Sequence, residues 1–165
     1  MSKRLRFAPI AAATVLTALL AAGCGSSNSS GQPHKTSALV ATADPVCQKV
    51  AVKREAANAA LHEVSSSTTK TLQVLAKVAP GIASVENSAV ATLSKLKPTT
   101  AEETEWDAIL LGMRLLAEDT TKLAAAAKAD NINEVHRIDT AGKQLQEKLA
   151  VIAKRNGFAY CGVTS

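Results

Sequence analysis

The sequence predicts an all-α protein, an up-down-up-down four-helix bundle with a kinked second helix, preceded by an export-type leader and a flexible linker. Three observations carry this. Apolar residues between 44 and 157 recur at spacings of three and four, the period of one helix face. Clusters of Ser, Thr, Asp, Asn and Pro interrupt that pattern three times, and short turns of this kind join antiparallel neighbours. The same residues hold no sustained alternation of period two, so no strand pattern competes.

The chain starts with Lys3, Arg4 and Arg6, and residues 7 to 22 are apolar apart from Pro9, Thr14 and Thr17. This is the layout of an export signal. The run is shorter than the roughly 20 residues that a helix needs to cross the hydrocarbon layer, so it does not suit a permanent span. Leu20-Ala21-Ala22-Gly23 runs directly into Cys24, and this resembles the lipobox of bacterial lipoproteins, with the leucine one place further out than the family's usual position. The resemblance covers the first 24 residues. It implies cleavage between Gly23 and Cys24 by the lipoprotein signal peptidase and a diacylglycerol thioether on the Cys24 sulfur. Two buried chains, at about 0.8 kcal/mol per methylene, exceed the marginal hold of one. The implied place is the outer face of a cell membrane, with residues 1–23 removed as signal peptide.

Residues 24–43 then form the lipidated Cys and a linker. Gly25 to about Ala43 is small and polar, unable to bury enough apolar surface to order itself. Its nineteen residues give a root-mean-square reach of about 25 Å. The bundle domain is expected over 44–165. Asp44-Pro45 suits a helix start, with Asp as N-cap and Pro at the first helical place. Helix one then runs to about Val64, its stripe interrupted by Lys53 and Arg54.

The cluster from Ser65 to Thr69 is the next turn, and the second helix runs from about Thr69 to Lys95. Pro80-Gly81 lies inside it. A proline costs about 3 kcal/mol in an unbroken helix, so a kink or break is expected near Val78. Lys97-Pro98-Thr99 closes this element, and Thr100 with Glu103 makes a capping box for helix three. Glu102, Glu103, Glu105 and Asp107 complement its dipole. Its core stripe runs from Trp106, expected to be buried, through Met113 to Ala127. Asp130-Asn131 with Glu134 starts helix four, and Lys154-Arg155-Asn156-Gly157 ends it with a glycine cap.

With Cys24 committed to lipid, Cys47 and Cys161 remain as an even pair in an exported chain. An up-down-up-down bundle brings the start of helix one and the end of helix four to one pole, so a Cys47–Cys161 disulfide is expected. Closing roughly 115 residues is worth about 4 to 5 kcal/mol in the chain-entropy model. A Cys just inside helix one, with Gly157-Phe158-Ala159-Tyr160-Cys161-Gly162 at the close, resembles small helical lipoproteins of Gram-positive, high-GC bacteria. That resemblance is one of pattern and brings no chemistry with it.

Composition excludes several classes of function. The chain carries 19 Lys and Arg against 14 Asp and Glu. Lys3, Arg4 and Arg6 leave with the leader, so 16 against 14 remain and the net charge of the mature part falls to +2. No Lys or Arg block marks nucleic-acid binding. Aromatic residues are 2% of the chain, too few for stacking platforms or sugar pockets. His34, His62 and His136 form neither HxxxH nor ExxH, so they read as surface residues and no metal is expected. Neither a GxSxG elbow nor a glycine-rich phosphate loop occurs in the mature part. Glu118-Asp119 reads as a solvated face.

The expectation is therefore a non-enzymatic lipoprotein without cofactor, held by covalent lipid at Cys24, whose bundle is an interaction or scaffold module for another envelope protein. The alternative is a binding protein for a small apolar ligand or lipid. An apolar cavity of several hundred Å³ separates the two, while a filled core with an exposed apolar patch favours the first.

Overall fold

The computed structural model describes residues 37–162. Among these residues are four helices and no strands: α1 Ala38–Glu63, α2 Thr68–Leu93, α3 Glu103–Lys128 and α4 Ile132–Arg155. They pack in chain order, α1 on α2, α2 on α3 and α3 on α4, while α1 and α4 form no interface of comparable extent. The expected leader, the Gly23/Cys24 junction, the lipidation site Cys24 and His34 lie outside the described residues.

Helix α1 begins seven residues before the Asp44-Pro45 start that the sequence suggested. Ser37 is its N-cap, accepting the Val40 N–H at 3.2 Å, and Pro45 lies inside the helix. The added turns bury Leu39, Val40 and Ala43. At about 1.5 to 3 kcal/mol for each fully buried Leu or Val side chain, this burial offsets the roughly 3 kcal/mol of an internal proline. Asp44, released from capping α1, binds the far end of the chain instead. Its two carboxylate oxygens accept the backbone N–H groups of Ala159 and Tyr160 at 2.8 and 3.0 Å.

Helix α2 starts at Ser67, whose hydroxyl accepts the Lys70 N–H, and continues through Pro80-Gly81 without a break. Pro80 is exposed, where water can take the carbonyl that its ring leaves unbonded. The capping box expected of Thr100 and Glu103 is absent: Glu102 is the N-cap of α3 and makes no side-chain cap bond. The Glu102 carboxylate accepts both the Thr99 N–H at 2.9 Å and the Thr99 hydroxyl at 2.8 Å. These two bonds hold the Glu102 carboxyl below its ordinary value. At α4 the expected cap is present, Asn131 Oδ1 accepting the Glu134 N–H at 3.1 Å. At its end Gly157 takes a positive φ of 81°, and Phe158 N–H returns to Ala153 O at 3.0 Å, a Schellman closure.

The core divides in two. One cluster joins Leu39, Val40, Ala43, Cys47, Leu93, Ile109, Met113 and Phe158 around Trp106. Trp106 is 2% exposed and stacks on Phe158 with ring centroids 5.8 Å apart. Cys47 and Cys161 are joined by a disulfide at this end. The other cluster, around Leu72, Leu75, Val135 and Ile138, is completed by Ala79, Ala124, Ala126 and Ala127.

Candidate functional site

Because α1 and α4 do not close on one another, the alanine-rich half of the bundle carries a groove of about 560 Å³. Ala57, Leu61 and His62 contribute to the α1 side, and Val135, His136 and Gly142 to the α4 side. The floor comes from α2 and α3, with Leu75, Ala79, Ile82, Leu116 and Leu123. This is the stripe of apolar side chains spaced by threes and fours that was read from the sequence. It is left partly uncovered here because α1 and α4 do not pack against each other as the consecutive helices do. A groove of similar size on the α1/α2 face has a polar rim of Lys49, Lys53, Ser84, Ser88 and Thr92.

Among the described residues the one buried charged residue is Glu86 of α2, 2% exposed. Arg54 of α1 reaches it, with Nε and Nη2 at 2.8 and 2.7 Å from Oε1. The second carboxylate oxygen, Oε2, is buried and has no hydrogen-bond partner. Beside the pair is a small cavity of about 30 Å³, bordered by Cys47, Val50, Met113 and Tyr160. Arg54, Leu116 and Gln146 border both this cavity and the groove.

A buried ion pair gains little net stability over apolar packing, because both charges lose their hydration. Breaking one, however, strands a charge at a cost of about 3 to 5 kcal/mol. Arg54 had registered in the sequence as an interruption of the α1 stripe. Glu86 was missed. Its signal was its place four residues after Ile82, on the face that should have been apolar. Opposite charges breaking the stripes of two neighbouring helices are the pattern of a cross-helix pair.

The expected site residues separate accordingly. Cys47 and Cys161 are brought together by topology and seal the pole away from the groove. His62 and His136, placed on different helices by the sequence, both line the groove, and both side chains are exposed. Among the described residues, no three His, Cys, Asp or Glu side chains converge as a metal site. Glu134, in the first turn of α4, accepts Arg137 Nε and Nη2 at 2.7 and 2.6 Å. That contact holds the Glu134 carboxyl below its ordinary value and raises the guanidinium. Comparison of the chain with protein-family models, with curated proteins and with solved structures finds no match.

Proposed function

We propose that this chain is an extracytoplasmic lipoprotein, anchored through lipid on Cys24, whose bundle holds a small apolar ligand or lipid in the groove between α1 and α4. The supporting observation is the groove itself, about 560 Å³ over an apolar floor, inside the range of about 300 to 1,000 Å³ of ligand sites. The role is one of binding rather than catalysis, without cofactor or nucleic acid. The anchor rests on the basic start, the apolar run and the Ala21-Ala22-Gly23-Cys24 junction. No helix among the described residues is long and apolar enough to cross a membrane.

Gly142 provides the test. A Cβ built there meets nothing within 4 Å, so Gly142→Leu puts a side chain into the groove without displacing the core. Organic extracts of the chain purified from membranes should contain an apolar molecule near one per chain, and the variant should lose it. Extracts free of such a molecule in both proteins refute the reading. The anchor is tested separately by Cys24→Ala, which should block lipidation and release or mislocalise the protein; a variant still found in membranes as a lipidated species refutes it.

The interaction reading retains one observation of its own. Leu111 and Leu115, one turn apart on α3, are 57% and 41% exposed. Envelope-protein binding through this face is tested by in-cell crosslinking from either position.

A further inference from the structure

We propose that the outer face of α1 and α2 docks on anionic lipid head groups, laying the bundle against the membrane to which its anchor ties it. Charge is divided unevenly along the chain. Residues 37–97 carry seven Lys and Arg against four Asp and Glu, whereas residues 98–162 carry eight against ten. Two of the four acidic groups in the first half are engaged inside the protein, Glu86 with Arg54 and Asp44 with the Ala159 and Tyr160 N–H groups. Among the described residues every other ion pair lies on α3 and α4, so the lysines of α1 and α2 keep their charge without a carboxylate partner.

Two of those lysines line one groove. It holds about 570 Å³, with Lys49 and Lys53 on the α1 side, Ser84, Ser88 and Thr92 on the α2 side, and no carboxylate in its lining. The three hydroxyl residues are four apart and share one helix face. Lys53 is drawn toward that face, since a Cβ built on Gly81 would stand 3.4 Å from its Cε. A phosphate head group brings what the groove lacks, a negative charge whose oxygens accept from ammonium and hydroxyl donors.

An acidic protein would also supply charge, but two observations favour lipid. Val52 lines the same groove and is 60% exposed, and lysines beside an exposed apolar side chain are the composition of helices that lie in a membrane interface. The chain also enters the bundle at Ser37, about 18 Å along α1 from Lys49. The thirteen residues from Cys24 to Thr36 allow a root-mean-square reach of about 20 Å, so an anchored chain holds this face near the head groups at high effective concentration. That proximity rests on the Cys24 anchor; the charge pattern does not.

The test uses the full lipidated chain in phosphatidylcholine vesicles with and without phosphatidylglycerol. An environment-sensitive fluorophore is attached to Val52→Cys or, as control, to Val151→Cys on α4. With phosphatidylglycerol the label at 52 should shift to the blue while that at 151 does not, and salt should reverse the shift. Lys49→Gln with Lys53→Gln should lower the ratio of docked to undocked bundle about 25-fold, from about fivefold for each lysine near an anionic surface.

No shift at 52, equal shifts at both positions or in both kinds of vesicle, or a shift that survives the lysine substitutions overturns the docking face. A shift produced by polyglutamate and not by phosphatidylglycerol assigns the face to an acidic protein and overturns the lipid assignment. The anchor is read separately, from flotation with neutral vesicles. A chain that fails to float contradicts the anchor, and the shift on adding phosphatidylglycerol still decides the face. Circular dichroism establishes that the lysine variant is folded; if it is not, the labels and the salt response in the chain with both lysines decide alone.

Discussion

The disulfide end of the bundle and the groove end are made from the same four helices and close in different ways. Trp106, Leu93, Ile109, Cys47 and Cys161, the largest fully buried side chains, all belong to the disulfide end. There Phe158 stacks on Trp106, Asp44 fastens the backbone after α4, and the Cys47–Cys161 bond joins α1 to that segment. The groove end is packed by Leu72, Leu75, Val135 and Ile138 with four alanines. Alanine is a strong helix former that fills little volume. Identical secondary structure thus yields a sealed pole where bulky side chains and a crosslink span the α1/α4 seam, and an open one where neither does.

The largest expected effect comes from cutting that crosslink. Replacing both Cys47 and Cys161 by Ala should lower unfolding free energy by about 4 to 5 kcal/mol in the chain-entropy limit, read from urea midpoints. A loss below about 1 kcal/mol would mean that packing around Trp106, not the covalent bond, seals this pole.

Two glycines sharpen the comparison at intermediate size. A Cβ at Gly112 would lie 2.8 Å from Leu149 Cγ and nearer still to its methyl carbons, because α3 and α4 are pressed together there. Gly112→Ala should destabilise by about 1 to 3 kcal/mol through overpacking. Gly142, in the interior of α4 beside the groove, has open space, and Gly142→Ala should stabilise by about 0.5 to 1 kcal/mol through helix propensity. Thermal or urea unfolding of the two variants should move in opposite directions. Movement in the same direction would remove the distinction between tight and open faces.

The smallest expected effect is on pH dependence, and each pole contributes one group. Glu102, bound by Thr99, and Glu134, bound by Arg137, both titrate below their ordinary 4.5 when folded. A lowered folded value means that the unfolded chain binds more protons, so this stabilisation is present above about pH 4.5 and is lost as pH falls through the folded values. Both groups are only half-buried, so solvent screens these contacts. Glu102→Gln and Glu134→Gln should therefore each slightly flatten the acid side of the stability curve, and stability that rises on acidification would contradict both assignments.

Much of this was legible in the residues. The four helices followed from apolar spacing and caps, Asn131 and Gly157 among them, and the cysteine pairing followed from helix order. Trp106 led a regular stripe and is buried as that position implied. The start of α1 was misplaced because Asp44-Pro45 imitates an N-terminus locally, while the burial of Leu39 and Val40 depends on Trp106 and Phe158 far along the chain. The capping box expected at Thr100 and Glu103 did not form, and the Glu102 carboxylate instead accepts both bonds from Thr99.

Periodicity, caps and cysteine count are local or topological properties, and they determined the helical class, the order of packing and the stitched pole. The α1/α4 seam was decided only in three dimensions. Whether two helices that are distant in sequence close against each other depends on the summed reach of side chains from all four, and the same summation buries Glu86 beside Arg54 with one oxygen unpaired.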